Sequence, residues 1–239
     1  MKQIINPIGI IHSPYSEKFA VPRQPNLVTE GQGELHLLPP YNNPDAIKGL
    51  EQFSHLWLLF QFHQIELDKW RLTVRPPRLG GNKTLGVFST RSPFRPNHIG
   101  LSAVALKDIV IKNKQVILKL GSVDLVDGTP VIDIKPYLPY CDSYPEAIAG
   151  YAQAMPDKTL TVEFSKQAQQ SLKLYQLTYP NLATLITQVI AQDPRPAYKQ
   201  KSLKEQDYGF RLYHFNIKCR ISDKHAIVED IDIEKNNKT

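Results

Sequence analysis

Up to Ile134, apolar and polar positions alternate in short runs. The runs Ile4–His12, Gly33–Leu38, Phe53–Phe62, Leu85–Ser89, Ile99–Ile111, Gln115–Leu120 and Pro130–Ile134 predict strands. Phe53–Phe62 is apolar on both of its alternating faces, so that strand is expected to be covered on both sides. Turn residues separate the runs, Asp127-Gly128 among them. The 19 prolines are crowded into the first two-thirds of the chain, as at Pro39-Pro40, Pro76-Pro77 and Pro136 to Pro139. Proline breaks helices, which argues for a β-rich sandwich or barrel there. After Gly150 the period changes. Ser165 predicts an N-cap for a helix over Lys166–Leu177, with Ala168, Leu172 and Tyr175 on one side. Asn181 predicts the cap of a second helix, with Leu182, Leu185, Ile186, Val189 and Ile190 at helical spacing, ended by Asp193-Pro194. Tyr208–Ile221 and His225–Ile233 read as strands around a turn at Asp223. The expectation is a mainly β fold: a β domain over residues 1–150, then a small α+β domain over 156–239.

Composition sharpens this picture only in places. With 239 residues, 41% hydrophobic and 22% charged, the chain is globular. No apolar run approaches the ~20 residues that span a bilayer. The start, Met-Lys-Gln-Ile-Ile-Asn-Pro, is too short and broken for a signal peptide. Two cysteines, Cys141 and Cys219, make neither a disulfide framework nor a four-thiolate zinc site, which points to a reducing, cytoplasmic setting. The net charge is +6, and its placement matters more than its size. From Lys69 to Arg95 the chain carries Lys69, Arg71, Arg75, Arg78, Lys83, Arg91 and Arg95, with no acidic residue. Such a stretch is either a solvated basic face or the footprint of a polyanion.

Familiar site motifs are missing. There is no Gly-x-Gly-x-x-Gly turn between a strand and a helix, so a Rossmann cofactor site is not expected. Nor is there a phosphate-binding P-loop, a Gly-x-Ser-x-Gly elbow or a His-Glu-x-x-His helix. The seven histidines are scattered, and no metal site is expected from them. Five polar segments stand out instead. In Phe19-Ala-Val-Pro-Arg-Gln-Pro25 two prolines stiffen the backbone that displays Arg23 and Gln24. His63-Gln64 ends the most hydrophobic strand. Ser89 to Leu101 packs two arginines, two prolines and a phenylalanine into a rigid cationic loop suited to phosphates or bases. Asp124 to Pro130, with Asp133 beyond it, offers carboxylates to hydroxyl or ammonium groups, or makes a plain turn. Asp193-Pro-Arg-Pro-Ala-Tyr198 sets a carboxylate and a phenol among prolines, where a base can stack on Tyr198. Ser89 to Leu101 is hard to explain as mere packing; the other segments also have a structural reading, as a surface loop, a strand end satisfying its own neighbours, a plain turn or a helix terminus.

These segments, with Ile8-Gly-Ile-Ile-His-Ser-Pro-Tyr15, Phe53-Ser-His-Leu-Trp57, Arg75-Pro-Pro-Arg-Leu-Gly-Gly81, Gly86 to Asn97 and Asp133-Ile-Lys-Pro-Tyr137, closely resemble the TrmO (TsaA-like) family. The resemblance runs in order over nearly the whole chain. It implies a small antiparallel β-barrel in place of a Rossmann sheet, and dimerisation. It also implies an S-adenosylmethionine-dependent tRNA methyltransferase. Its substrate atom would be N6 of threonylcarbamoyladenosine, 3′ of the anticodon in threonine tRNA. It assigns cofactor contacts to Pro22, Arg23, Gln24, His63, Gln64, Arg91, Leu101 and Asp124, Leu125, Val126 and Asp127.

A sulfonium methyl is already activated, so no metal is needed; alignment and exclusion of water carry the reaction. On this reading Asp193 accepts the N6 proton, with the substrate's own carboxylate as the alternative acceptor. Tyr198 is a stacking platform, and Arg91 and Arg95 hold that carboxylate or a phosphate. The basic window adds salt-dependent affinity for the anticodon loop. Two other classes remain open at this stage: a non-catalytic RNA-binding β-barrel, and a metal-dependent hydrolase using Asp124, Asp127 and Asp133.

Overall fold

The computed structural model describes residues 4–66, 68–156, 160–195, 199 and 204–233. Six strands close into an antiparallel barrel in the order β1-β2-β7-β6-β3-β8. They are β1 (Gly9–His12), β2 (Gln32–Leu37), β3 (His55–Gln61), β6 (Ile99–Lys112), β7 (Gln115–Ser122) and β8 (Pro130–Pro136). A two-stranded ribbon, β4 (Thr73–Val74) with β5 (Leu85–Gly86), lies inside the long β3–β6 connection. The fold is mainly β, with no Rossmann sheet among the described residues.

Alternation does what the sequence asks of it. Leu35 and Leu37, Leu56, Leu58 and Phe60, and Val116, Leu118 and Leu120 all point inward and are buried. The other face of β3 is half-covered: Trp57 packs on Tyr137 and donates its indole N–H to Asp142 at 2.9 Å. At Gly100 the Phe60 ring lies on the bare backbone, and a Cβ there would meet the ring at 2.3 Å. That close approach fixes the register just before Leu101 and Ser102.

The antiparallel registers decide where function can sit. β1 and β3 end, and β2, β6 and β8 begin, at one rim, where β7 also ends. The connections 13–31, 62–98 and 123–129 therefore all leave the barrel at that rim.

Beyond α1 (Pro139–Asp142), a second sheet runs in the order β10-β11-β12-β9, with β9 (Thr161–Phe164) parallel to β12 (His225–Ile233). β10 spans Gln206–Leu212 and β11 spans Phe215–Ser222. Two helices, α2 (Lys166–Tyr175) and α3 (Leu182–Ala191), pack against it. Ser165 caps α2, accepting from the Ala168 N–H at 3.1 Å and donating to the Glu229 carbonyl at 2.7 Å. Asn181 precedes α3 without capping it, because its amide donates to Glu30 at 2.8 Å instead. α3 ends with Asp193 in the left-handed region at φ 49°. The two sheets share one contiguous apolar core. Polar clasps close the junction: the Glu30 N–H donates to Gln188, Gln188 donates to Thr29, and Arg211 pairs with Glu17.

Besides the Asn181 cap, three sequence expectations differ from the structure. Regular pairing on the first strand starts at Gly9, after Pro7, which has no N–H to give a ladder. Only Leu85–Gly86 of the fourth run is a strand; Val87–Ser89 turns, held by Thr90, whose N–H and hydroxyl both donate to the Val87 carbonyl. The run Tyr208–Ile221 is two strands, with Tyr213 turning at φ 54°. No glycine or asparagine marks that turn. It is imposed from the barrel, where Pro14 accepts from the Tyr213 N–H at 2.7 Å and Ser16 donates to the Tyr213 carbonyl.

Ser165→Ala removes both bonds at the start of α2 and is expected to cost about 1–2 kcal/mol. Thermal unfolding should show Tm lower by roughly 2–6 °C, with partial recovery in Ser165→Asp, which restores the acceptor.

Candidate active site

The three connections at the rim are pinned close to one another. In the first, Ser122 of β7 accepts from the Asn26 N–H at 3.0 Å and donates to the Val28 carbonyl at 2.7 Å, with Leu27 and Val28 buried beneath. This staple sets the exit of the proline-stiffened stretch Pro22–Pro25. In the third, Ser13 ties down residues 124–128: its N–H donates to Asp127 at 3.0 Å and its hydroxyl to the Leu125 carbonyl at 2.7 Å. Gly128 turns at φ 78°, where a side chain would be strained. Leu125 is buried and anchors the segment, Val126 is half-buried, and Asp127 is exposed next to His12.

The cationic loop of the second connection is braced by its own side chains. Thr90 and Ser92 each accept a backbone N–H two residues on, at 3.2 and 3.3 Å. Arg95 donates to the Thr90 carbonyl at 3.2 Å, and Arg71 lies over the Phe94 ring at 4.9 Å. Asn97 and His98 both adopt positive φ, 63° and 50°, and lead the chain back into β6. Arg91 is left facing the first connection, where it donates to the Gln24 side chain.

Asp124 lies at the meeting point. Its carboxylate is hydrogen-bonded to Ser102 and feels the positive charge of Arg91. Its Oδ1 is buried with no hydrogen-bond partner. Burial outweighs both helpers and pushes the carboxyl up to about 6. A buried carboxylate oxygen left without a donor is costly, and such sites are where ligands complete the bonding. His63 and Gln64 form the turn after β3; Lys18 donates to the Gln64 carbonyl at 2.7 Å. Burial draws the His63 imidazole below its ordinary value, Lys18 adds to that, and Asp127 opposes it. Leu101 is exposed on the barrel's outer face, beside Ser102.

The structure therefore brings together Gln24, Arg91 and Asp124 directly, with His63, Gln64 and Asp127 linked through Lys18 and the 124–128 turn. Arg23 turns the other way, towards Asp193 and Arg78. Asp193 is buried and holds Arg195 through both oxygens, at 2.7 and 2.8 Å. Arg195 also donates to the Asp223 carbonyl at 3.1 Å. Each oxygen of the Asp193 carboxylate thus already accepts from Arg195. Tyr198 lies outside the described residues.

Two residues beside these segments, Ser102 and Lys18, escape the motif reading, and Arg78 is singled out by it only as part of the basic window and of the Arg75 to Gly81 motif. Ser102 bonds Asp124, and its signal is a polar residue inside an apolar strand run. Lys18 braces the 63–64 turn. Arg78, in Arg75-Pro-Pro-Arg78, sits within electrostatic reach of Arg23 and donates to the Ala154 carbonyl. The carboxylates of the hydrolase alternative are dispersed: Asp133 pairs with Lys135 at 2.9 Å, away from Asp124. Among the described residues no group of three or more His, Cys, Asp or Glu is arranged to hold a metal ion.

Comparison with known proteins agrees in both halves of the chain. The model of the tRNA-methyltransferase O N-terminal domain matches residues 10–143, and that of the TrmO C-terminal domain matches residues 157–234. The chain is 56% identical over 216 residues to the tRNA (adenine(37)-N6)-methyltransferase of Escherichia coli K12, covering 90% of this chain and 92% of that one. It is 50% identical to a Pseudomonas aeruginosa protein provisionally named S-adenosylmethionine-dependent methyltransferase RcsF, covering 91% and 92%. The crystal structure of TrmO from Pseudomonas aeruginosa superposes with a TM-score of 0.77 at 38% identity, covering 97% of this chain and all of that one. The chain belongs to the TrmO family.

Proposed function

We propose that this protein transfers a methyl group from S-adenosylmethionine to N6 of the threonylcarbamoylated adenosine 3′ of the anticodon in threonine tRNA. The observation that carries the reading is the unsatisfied Asp124 carboxylate facing Arg91 and Gln24 at the barrel rim. It has the chemistry of a receptor for a donor that bears positive charge and sugar hydroxyls. The names of relatives such as the Escherichia coli enzyme and the Pseudomonas aeruginosa methyltransferase support the same reaction.

When bound, S-adenosylmethionine supplies a methyl already activated by its sulfonium sulfur. The residues that would hold it are Pro22, Gln24, His63, Gln64, Arg91, Leu101 and the segment Asp124 to Asp127. Their work is placement and exclusion of water, which is where the rate comes from when donor and acceptor need only be aligned. Arg95, tied to the Thr90 carbonyl, holds the cationic loop in shape. Asp193 fixes Arg195 just beyond the end of α3. A nitrogen that has gained a fourth bond is strongly acidic, so its proton leaves to water or to the substrate's own carboxylate without Asp193. The basic stretch from Lys69 to Arg95 serves the phosphates of the anticodon loop.

The working form is read as a homodimer. Residues 139–155 are exposed almost throughout, with Tyr140, Tyr144, Ile148 and Met155 at 86%, 73%, 94% and 74% exposure, and Phe88 at 78% on the neighbouring loop. So much apolar surface on a chain with a filled core calls for a partner, and a second copy supplies one. Among the described residues no helix is long and apolar enough to cross a membrane, and Cys141 and Cys219 are both free.

The deciding experiment is calorimetric titration with S-adenosylmethionine, followed by mass spectrometry of threonine tRNA incubated with enzyme and donor. A gain of one methyl on the modified adenosine is expected; no donor binding and no mass shift would refute the reading. Asp124 gives a signed pH test. Its folded value of about 6 lies above the ordinary 3.8. The folded protein thus binds more protons between those values, and stability falls as pH rises through that window. The span corresponds to at most about 3 kcal/mol. Asp124→Asn should flatten this slope and raise Tm at pH 7.5, while weakening donor binding at least tenfold. Wild-type donor affinity should itself rise with pH through about 6. Asp193→Asn removes the carboxylate that Arg195 binds and should cost about 3–5 kcal/mol of stability. A large loss of turnover with Tm unchanged would instead return Asp193 to the chemistry. Ile148→Glu with Tyr144→Arg should shift sedimentation from dimer to monomer.

A further inference from the structure

The connection between β3 and β6 carries the whole basic stretch, and its charges are open. Lys69 pairs with Glu66 at 3.6 Å, but Arg71, Arg75, Arg78, Lys83, Arg91 and Arg95 pair with no carboxylate among the described residues. Between Lys69 and Arg71 stands Trp70, 47% exposed. Its rings meet no other ring, and its indole N–H has no hydrogen-bond partner among the described residues. The other tryptophan, Trp57, is by contrast tied to Asp142 and packed on Tyr137. The backbone on either side of this exposed indole is anchored. The Arg71 N–H donates to the Phe94 carbonyl at 2.9 Å, and the Arg71 guanidinium lies over the Phe94 ring. One residue on, the Leu72 carbonyl accepts from the Val87 N–H at 2.9 Å. Trp70 thus stands beside the cationic loop Ser89 to Leu101, whose Arg91 reaches Gln24 at the rim.

The surroundings of the indole decide what covers it. Tryptophan is among the residues most shielded from water on average, so an open one set among cations calls for a partner. An apolar protein surface would strip water from those cations without offering them an acid. A nucleic-acid duplex would give them phosphates, but its bases are stacked on one another and leave the indole bare. A single-stranded nucleic acid supplies both in alternation, phosphates for the cations and the flat face of a base for the indole. We propose that Trp70 is a stacking platform for an anticodon-loop base next to the one that is methylated, with Arg75 and Lys83 on the flanking phosphates. The proposal rests on the methyltransferase reading above and names the part of the protein that senses an unpaired loop. Every base has a π face, so this contact is blind to sequence. It selects RNA whose bases are free to unstack, and leaves the choice among such loops to other contacts.

The test uses the full-length protein and an anticodon stem-loop RNA carrying the modified adenosine. Trp70→Ala should raise the Kd for this RNA about tenfold or more, with the Kd of S-adenosylmethionine within about twofold of wild type. Trp70→Phe, which keeps a stacking face, should recover most of the loss. Stacking releases no counterions, so the slope of log Kd against log salt concentration should be unchanged in Trp70→Ala. It should be shallower by about one in Arg75→Gln and in Lys83→Gln. Abasic substitution of the loop nucleotides, one at a time, should find one position where removing the base and removing the indole cost no more together than either does alone. RNA affinity unchanged in Trp70→Ala, or losses that add at every loop position, overturns the proposal. So does a salt slope that flattens in Trp70→Ala or stays as steep in both glutamine variants. Sedimentation of Trp70→Ala as a monomer where the wild type is a dimer also overturns it and assigns the indole to the second copy. Wild-type protein that neither binds the donor nor methylates the RNA would sink the underlying reading; methylation that proceeds equally well without Trp70 would sink this proposal alone.

Discussion

Closure of the barrel is the constraint from which the site follows. β8 must pair with β1 on one edge and β3 on the other, and both pairings are antiparallel. With every neighbouring pair antiparallel, the ends of three strands and the starts of the next three must share a rim. Loops far apart in sequence, at residues 22–25, 61–64, 87–98 and 124–128, have no other place to go. A closed barrel also has no free edge, so the sheet itself recruits no partner. Recognition is left to the loops and to the exposed segment after β8.

That arrangement concentrates uncompensated charge where the barrel cannot shield it. Asp124 is buried with an oxygen lacking a donor, and Arg23 is turned towards an acid that belongs to Arg195. The buried oxygen is unfavourable for the isolated protein, and a ligand that donates to it relieves that cost. The stability given up at this position is stored as affinity, a common relation between site and scaffold. The apolar core beneath, continuous from the barrel into the second sheet, bears that load.

Much of the scaffold is legible in the chain because it depends on local periodicity. The strand runs around Leu56, Leu118 and Val131 are marked by their apolar residues, and Ser165 caps α2 as its position before an amphipathic run implies. The hairpin at Tyr213 is not legible, since its turn is set by Pro14 and Ser16, about two hundred residues upstream. The site divides in the same way. Rigid motifs such as Pro22–Pro25 and Ser89 to Leu101 announce themselves by composition. Which way neighbouring side chains face does not: Gln24 accepts from Arg91, whereas Arg23 is turned towards Asp193. Likewise the carboxylate of Asp193 reads as an open acceptor until Arg195, two residues on, is seen to fill it.

The loop at residues 22–25 is the stiffest piece of the rim. A Rossmann enzyme places its donor at one sheet edge and its acceptor on added domains. Here a single stiff tetrapeptide, Pro22-Arg-Gln-Pro25, lies between the Asp124 side and the end of α3, anchored below by Ser122. Proline at both ends limits how far the two side chains can move relative to each other. Whatever binds to it is thereby held at a fixed offset from the barrel. For a transfer that requires nucleophile, methyl and sulfur to line up, a fixed offset is the main contribution a protein can make. The second sheet, clasped to the same loop region through Thr29, Glu30 and Glu17, keeps that offset from drifting.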